Sequence, residues 1–301
     1  MDALLSVEQW PVDHAAVGVV VLGPDRGAST SLGATPRGPQ SDPSTTVGPS
    51  RQLFAWASVS KLATTLAVLV AVEEGTLALD EPAGPEGSTV RHLLAHASGL
   101  GSEVGLSPAA PGVARIYSNA GFAELGRLLA ERSEMPFSDY LRQGVLEPLG
   151  MNATVLDSSV PAGGPAAGLA GPLLDLLALG TELAVPTLIS PETHRDAVTV
   201  QFPDLAGVLP GFGRFDPCPW GLGVEIRGTK SPHWTGATNS PATFGHFGQS
   251  GSFLWVDPAE GVVCGGLSDR PFGLWARRAW PPLSDAVLAE VASGGAPATG
   301  S

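Results

Sequence analysis

The chain has 301 residues, of which 43% are hydrophobic, and it carries a formal net charge of −13 at pH 7. This composition predicts a globular protein with a sizeable core and argues against a disordered chain. The negative charge argues against nucleic acid and anionic membrane surfaces as partners.

The N-terminus and the cysteines indicate where the protein works. Residues Met1–Trp10 lack the basic stretch and long apolar run of a secretory signal. The apolar run Val59–Val72 is too short for a membrane span and contains Lys61. We therefore expect a cytoplasmic protein without a membrane partner. Cys218 and Cys264 are too few for a disulfide framework, and Cys264 is expected in a buried strand.

Strand patterns occur at both ends of the chain, with helical patterns between them. The predicted elements are, in order, a hairpin of Val17–Leu22 and Ala28–Leu32, helices at Val59–Glu74, Thr89–His96, Asn119–Ser133, Phe137–Val145, Gly168–Leu183 and Pro191–Ala197, strands at Trp220–Arg227, Gly245–Phe247, Ser252–Val256 and Gly261–Leu267, and a helix at Trp275–Val291 that bends or restarts at Pro281-Pro282. This order predicts an α/β (α+β) fold, with an antiparallel sheet built from both chain ends, flanking helices and an inserted helical lobe.

We predict a single domain over residues 1–293. Its α/β lobe comprises residues 10–56 and 200–293, and its helical lobe comprises residues 57–199. The stretch Val208–Pro219 is predicted to be a surface loop, and Gly294–Ser301 a disordered tail.

Ser58 and Lys61 form the first candidate chemical group. They are three residues apart at the start of the helix predicted at Val59–Glu74, so the amine can reach the hydroxyl on one helix face. The helix is apolar on every side, and burial would lower the pKa of Lys61, as a general base requires. Because serine is common, this spacing alone is weak evidence.

Two further motifs follow in the chain. Tyr117 and Asn119 are two residues apart; a phenol can pass a proton, and an amide can orient both a carbonyl and the lysine. Residues Gly245–Gly251 contain glycines that let the backbone approach a ligand closely, and the apolar strand Phe253–Val256 follows. A backbone N–H in this region can supply half of an oxyanion hole.

With these three motifs in order, the chain resembles the serine β-lactamase and penicillin-binding-protein superfamily, whose elements are Ser-x-x-Lys, Ser-Asp-Asn and Lys-Thr-Gly. It is more similar to the class C branch, which includes D-aminopeptidases, carboxypeptidases and esterases. This branch uses Tyr-x-Asn as its second element and often His-x-Gly as its third. The resemblance runs from about Ala15 to about Val291 and includes the stretches Leu93–Leu100, Pro148–Met151 and Trp220–Val224. It implies a β-lactamase/transpeptidase-like fold with a cleft between the two lobes.

The resemblance implies a role for each motif residue. Ser58 is the acylated nucleophile, Lys61 its base, and Tyr117 an aid to proton transfer. The implied substrate-binding residues are Asn119, His246, Phe247, Gly248 and Gln249, and the backbone N–H groups of Ser58 and Gln249 would form the oxyanion hole. Trp220, beside the run Gly221–Val224, is expected near the cleft.

The third motif departs from that of the antibiotic-hydrolysing relatives. His246 stands where they carry lysine, and histidine is mostly neutral at pH 7. Phe247 stands where a threonine hydroxyl would bind the substrate carboxylate. Both changes weaken anion recognition, so we expect poor β-lactamase and D-Ala-D-Ala peptidase activity and a neutral ester or amide substrate.

Other chemistries have less support. His92 and His96 have the spacing of a helical zinc pair, but no glutamate follows His92 and no third ligand is well placed. We expect His96 to brace a loop near the cleft. The chain contains no Gly-x-Ser-x-Gly and no phosphate-loop pattern. We therefore expect no metal and no cofactor.

The expected function is that of a serine hydrolase with an acyl-enzyme on Ser58, acting as an esterase or an amidase/peptidase on a small molecule. Two alternatives stay open. One is a catalytically inactive binding protein with the same fold, and the other is an acyltransferase that shares the acyl-enzyme. The sequence does not identify the natural substrate or the oligomeric state.

Overall fold

The computed structural model describes residues 1–23, 45–101, 109–157 and 164–294. Its elements, in chain order, are a 3₁₀ helix at Asp2–Gln9, β1 (Ala15–Val21), β2 (Thr45–Val47), β3 (Phe54–Ala55), a 3₁₀ turn at Ala57–Val59, α1 (Ser60–Glu73), α2 (Val90–Leu94), α3 (Asn119–Ser133), α4 (Phe137–Leu141), a π turn at Arg142–Leu146, β4 (Val155–Leu156), α5 (Gly164–Ala167), β5 (Leu169–Gly171), α6 (Leu173–Ala184), α7 (Pro191–Ala197), β6 (Gly207–Leu209), β7 (Gly213–Phe215), β8 (Glu225–Ile226), β9 (Phe244–Gly248), β10 (Ser252–Asp257), β11 (Val262–Ser268) and α8 (Leu274–Gly294). The predicted hairpin partner Ala28–Leu32 and residues 295–301 of the predicted tail lie outside the described residues, and Gly294, the first residue of that tail, is the last residue of α8.

The largest sheet combines strands from both ends of the chain. Its strand order is β2-β1-β11-β10-β9-β8, and the neighbouring strands run antiparallel. Strand β1 pairs with β11 over its whole length, from Ala15 opposite Ser268 to Val21 opposite Val262. The predicted fold class, an antiparallel sheet built from both chain ends with helices between, is confirmed.

Alternate side chains of this sheet enter two separate hydrophobic cores, as the twofold period of a strand requires. Leu254 and Val263 belong to the core that also contains α1 and α6. Trp255 and Cys264 belong to the core covered by α8 and the N-terminal 3₁₀ helix. Cys264 is fully buried in β11, as predicted, and burial raises the pKa of its thiol.

Two predicted helices are interrupted in the structure. The helix predicted at Gly168–Leu183 is divided into strand β5 and helix α6, with Pro172 as the N-terminal cap of α6. A residue that precedes proline disfavours the helical conformation, which explains why Gly171 stays extended. The helix predicted at Phe137–Val145 contains α4 and then widens into the π turn.

The strand predicted at Trp220–Arg227 is reduced to β8, because a tight turn precedes it. The Gly221 N–H donates to the Val224 carbonyl at 2.9 Å. Gly223 has φ +70°, and a Cβ there would lie 1.7 Å from Thr65 Oγ1, so only glycine fits. The turn packs the chain against α1, close to the end that carries Ser58.

Further differences concern α8 and the loop predicted at Val208–Pro219. Helix α8 is continuous through Pro281 and Pro282, so it does not restart there. The predicted loop contains strand β7 and the end of β6, which pair as a hairpin. Among the helices in the described ranges, none combines the length and apolarity needed to cross a membrane.

Candidate active site

Ser58 lies in the 3₁₀ turn directly before α1. The preceding residue, Ala57, has φ +45°, a left-handed conformation that costs a non-glycine residue about 1–2 kcal/mol. Such strain persists only where the surrounding structure enforces it, and it is frequent at functional sites. The turn leaves Ser58 half-buried at the N-terminal end of α1, where aligned peptide dipoles favour a developing negative charge.

Lys61 is fully buried beneath Ser58. Its Nζ lies 2.8 Å from Asn119 Oδ1, 2.8 Å from the Ala166 carbonyl oxygen and 3.4 Å from Ser58 Oγ. Burial lowers the pKa of Lys61 from 10.5 to about 7. A neutral amine has two N–H groups and one lone pair. The two carbonyl oxygens accept the N–H groups, so the lone pair is left for the Ser58 hydroxyl proton.

Tyr117 contacts Ser58 from another side. Its hydroxyl donates to Ser58 Oγ at 2.8 Å. Burial raises its pKa, and this outweighs the opposite effect of the bond to Ser58, so Tyr117 is a protonated phenol at neutral pH. His96 stacks on the phenol ring at a centroid distance of 4.6 Å, and its Nδ1 accepts the Ser118 N–H at 3.1 Å. The prediction that His96 braces a loop near the cleft is confirmed.

His246 on β9 is a neutral member of the site. Because a carbonyl can only accept, Nδ1 of His246 donates to the Phe247 carbonyl oxygen at 2.7 Å. Burial, together with the nearby charge of Lys61, lowers the pKa of His246 to about 3. The Trp220 ring packs edge-on against the rings of His246 and Tyr117.

Gly248 brings the end of β9 against the turn that carries the nucleophile. A Cβ on Gly248 would lie 2.4 Å from the Trp56 carbonyl oxygen and 3.2 Å from the Ala57 side chain. Only glycine allows this approach without displacing the turn. Because Gln249 follows Gly248 directly, its backbone lies beside the nucleophile turn. The residue is exposed.

A cavity of about 310 Å³ joins the predicted residues. Those that line it are Ser58, Tyr117, Asn119, Trp220, His246, Phe247 and Gln249. Lys61 and Gly248 contact the nucleophile turn from behind this lining. Leu209, Pro210 and Glu225 also line the cavity and were not predicted.

Glu225 is a buried carboxylate that the sequence analysis missed. Its Oε1 lies 2.5 Å from Lys230 Nζ, and its Oε2 accepts from His233 Nε2 and Trp234 Nε1, both at 3.0 Å. Burial acts to raise its pKa, but the charges and hydrogen bonds of His233 and Lys230 outweigh burial and lower it to about 2. The sequence feature that could have revealed it is the position of this carboxylate directly after the apolar run Trp220–Val224.

The other missed groups left little or no signal in the sequence. The Ala166 carbonyl that binds Lys61 is a backbone group, which no side-chain pattern reveals. Leu209 and Pro210 reach the cleft through the β6–β7 hairpin, in the stretch predicted to be a surface loop.

The sequence matches the profile of the family described as Beta-lactamase over residues 6–289. A crystal structure of a β-lactamase from Mycobacterium bovis has 46% sequence identity and a TM-score of 0.86, covering 96% of this chain and 99% of that chain. The structure of EstCE1, described as a hydrolase with promiscuous acyltransferase activity, has 16% identity and a TM-score of 0.72, covering 95% of this chain and 96% of that chain. Penicillin-binding protein 4* of Bacillus subtilis is 28% identical over 138 residues, which cover 35% of this chain and only 31% of that relative's length. The chain belongs to the β-lactamase family of serine hydrolases.

Proposed function

We propose that this protein is a serine hydrolase that forms an acyl-enzyme on Ser58, with Lys61 as the base. The arrangement around Lys61 Nζ carries this proposal. Both of its N–H groups have carbonyl acceptors, its pKa is lowered to about 7, and its lone pair faces Ser58 Oγ at 3.4 Å. The hydrolase family to which the chain belongs supports the same reaction class.

The reaction would proceed in two halves. Ser58 Oγ attacks the substrate carbonyl carbon while its proton passes to Lys61 Nζ. Collapse of the tetrahedral intermediate breaks the bond to the leaving oxygen or nitrogen, which takes a proton through Tyr117 as Lys61 returns its own. Water then attacks the acyl-enzyme by the same route in reverse, releasing the acid and restoring Ser58.

The negative charge that develops on the carbonyl oxygen would be stabilised by the backbone N–H groups of Ser58 and Gln249. The close approach of Gly248 to Trp56 places these two segments side by side. In measured enzymes, one oxyanion donor contributes about 10²–10³-fold in rate. The N-terminal end of α1 adds a dipole of the favourable sign.

The most direct test is covalent labelling by a fluorophosphonate, read as intact-protein mass. We expect one adduct on the wild type and none on Ser58→Ala, because only an activated serine displaces fluoride. Absence of an adduct on well-folded wild type would favour the catalytically inactive binding protein instead. The intact Ser58–Lys61–Tyr117–Asn119 hydrogen-bond network argues against that alternative.

The cleft favours a neutral acyl group. Its lining contains no lysine or arginine among the described residues, and it includes the carboxylate of Glu225. His246 is neutral because its pKa is about 3, and Phe247 presents an apolar ring that packs on Phe272 at 4.8 Å. A substrate carboxylate would lose its water here without gaining a cationic partner. The structure thus supports a neutral ester or amide.

We predict that kcat/KM for a neutral ester such as p-nitrophenyl butyrate exceeds that for benzylpenicillin by about 10²-fold or more. The reason is that a charge-assisted bond to a bound carboxylate contributes about 2–5 kcal/mol, and no such partner lines this cleft. Steady-state kinetics on both substrates would measure the ratio, with Ser58→Ala as the background. Comparable efficiency on penicillin would contradict this substrate assignment.

The rate of Ser58 acylation is expected to rise with pH, with a midpoint near 7, and then level off. Only neutral Lys61 can accept the proton, and its pKa of about 7 sets the midpoint. His246, with a pKa of about 3, and Tyr117, with a raised pKa, do not titrate near this midpoint. Single-turnover acylation measured between about pH 5 and about pH 9 would show the rise, whereas a flat profile would exclude Lys61 as the base.

Acyl transfer is a second candidate, favoured by Leu209, Pro210 and Phe247, which give the cavity an apolar wall on which an organic acceptor can bind in competition with water. The relative EstCE1 is described as combining both activities. Adding an alcohol acceptor during ester turnover would separate the two reactions. Transfer predicts a new ester product at the expense of free acid, whereas a hydrolase makes only the acid.

A further inference from the structure

A second cavity, of about 400 Å³, lies beside the catalytic cleft. It is formed by the segment after β8 and the first half of α8. Three arginines line it, Arg227 from the segment and Arg277 and Arg278 from the helix, and we call it the arginine pocket.

The arginines of this pocket have no carboxylate within ion-pair distance among the described residues. No aspartate or glutamate belongs to its described lining. None of the ion pairs among the described residues involves Arg227, Arg277 or Arg278. The nearby carboxylate Asp285 accepts from the Thr238 N–H at 2.8 Å and from its hydroxyl at 2.6 Å. Three unpaired cations around one cavity contrast with the chain's net charge of −13.

Two of the three guanidinium groups contact uncharged groups, which do not neutralise them. Arg227 donates to the carbonyl oxygens of Gly236 and Gly228 at 3.3 and 3.2 Å. The Arg277 guanidinium lies over the Phe212 ring, 5.3 Å from its centroid. The contact with Phe212 restrains the Arg277 side chain, and a guanidinium can bind carboxylate or phosphate through two parallel bonds.

The rest of the lining is apolar or internally paired. Phe212, Leu274, Pro232 and Pro281 contribute rings and aliphatic surface. Lys230 and His233 also line the pocket, but both are bonded to the buried Glu225 and do not add to its free charge. The pocket therefore fits a molecule with an anionic head and an apolar body.

The arginine pocket and the catalytic cleft share a wall. The Phe212 ring, in the pocket, contacts the Phe247 ring, in the cleft lining, edge-on at a centroid distance of 5.8 Å. Glu225 lines the cleft, while its partners Lys230 and His233 line the pocket. A ligand in the pocket would thus lie next to the site where an acyl group binds.

We propose that the arginine pocket binds a small organic anion, a carboxylate or phosphate monoester attached to an apolar group. This proposal is independent of the chemistry at Ser58. The anion could be the distal group of an extended substrate or a separate ligand, and both have the same recognition chemistry.

The test is calorimetric titration of the whole protein with phenyl phosphate, inorganic phosphate and neutral benzyl alcohol. We compare wild type, R277Q/R278Q, and the matched control R51Q/R195Q, which removes the same charge from exposed positions outside the pocket. We expect wild type and the control to bind phenyl phosphate equally, more tightly than phosphate, and not to bind benzyl alcohol. R277Q/R278Q should bind at least about tenfold more weakly, because both positions lose a charge-assisted hydrogen bond to the anion. Affinity should also fall as the salt concentration is raised.

Equal affinity of R277Q/R278Q and wild type, or no binding of phenyl phosphate at about 10 mM, would overturn the proposal. Fluorophosphonate labelling of the same samples separates this result from the proposed function, because labelling requires Ser58 but not the arginines. Competitive inhibition of ester hydrolysis by phenyl phosphate that is weakened in R277Q/R278Q would indicate that the pocket binds part of the substrate. Binding without competition would identify a separate ligand.

Discussion

Replacing Lys61 with methionine is expected to slow the acylation of Ser58 by about 10²–10⁴-fold, the usual contribution of a general base. Methionine fills a similar volume but has no lone pair that accepts a proton at neutral pH. Single-turnover kinetics with a chromogenic ester, at a pH above the Lys61 pKa of about 7, would measure the loss.

The matched control for this prediction is Lys61→Arg. Arginine restores a positive charge and donors for Asn119 and the Ala166 carbonyl, but it stays protonated and cannot act as a base. If Lys61 is the base, both variants lose activity to a similar extent. If Lys61 serves only as a charge that orients Asn119, Lys61→Arg should keep a substantial part of the rate. Circular dichroism and thermal unfolding of each variant would confirm that the fold is retained.

Tyr117 offers an independent check on how the proton moves. Because its pKa is raised by burial, Tyr117 donates to Ser58 Oγ and does not accept its proton. Removal of the hydroxyl in Tyr117→Phe should therefore lower the rate of Ser58 acylation. The midpoint of its pH profile should stay at the Lys61 pKa. A shift of the midpoint well away from 7 would indicate that the two groups titrate together.

The parts of the site that are local in sequence could be predicted, and their geometry follows from helix periodicity. Ser58 and Lys61 face each other because three residues span nearly one turn at the start of α1. Helix α3 begins at Asn119, as predicted, because the Ser118 side chain accepts the Gly121 N–H and caps it. This cap places Asn119 at the helix end that faces Lys61.

The parts that depend on tertiary contacts could not be predicted from local pattern. Glycine-dependent turns, as at Gly223 against Thr65, end strands whose residues are otherwise apolar. The β6–β7 hairpin is rich in glycine and proline and has the composition of a surface loop, yet it delivers Leu209 to the cleft. Hydrophobic patterning reports burial, but it does not report which neighbour covers a segment.

Buried charge is the other feature that the hydrophobic pattern of the sequence does not reveal. Lys230 is one of only two lysines in the chain, and no sequence motif assigns it a role. In the structure its Nζ contacts Glu225 and the carbonyl oxygens of Pro219 and Ile226, and both charged side chains are almost fully buried. This cluster joins β8 to the segment that follows it and forms the wall between the catalytic cleft and the arginine pocket. Its integrity therefore bears on both cavities.

Replacing Lys230 with methionine is expected to lower the free energy of unfolding by about 3–5 kcal/mol, the loss typical when one partner of a buried ion pair is removed. The variant leaves the Glu225 carboxylate buried with only His233 and Trp234 as partners. The measurement is urea unfolding at neutral pH, read as the shift of the transition midpoint at unchanged slope.

The double variant Glu225→Gln/Lys230→Met separates the charge from the packing. Glutamine keeps an oxygen that accepts from His233 and Trp234 but carries no charge, so we expect the double variant to recover more than half of the stability lost in Lys230→Met. Equal stability of the two variants would show that the lost bonds to the Pro219 and Ile226 carbonyls, not the unpaired charge, cause the loss.

The pH dependence provides a second check. The pKa of Glu225 is lowered from its ordinary value of 4.5, so its charge stabilises the folded protein fully above pH 4.5. This contribution is lost as the pH falls towards about 2. Loss of Lys230 raises the Glu225 pKa in the variant, so the difference in stability between wild type and Lys230→Met should shrink as the pH falls from that raised pKa towards about 2, because protonation of Glu225 removes the charge that the variant leaves unpaired.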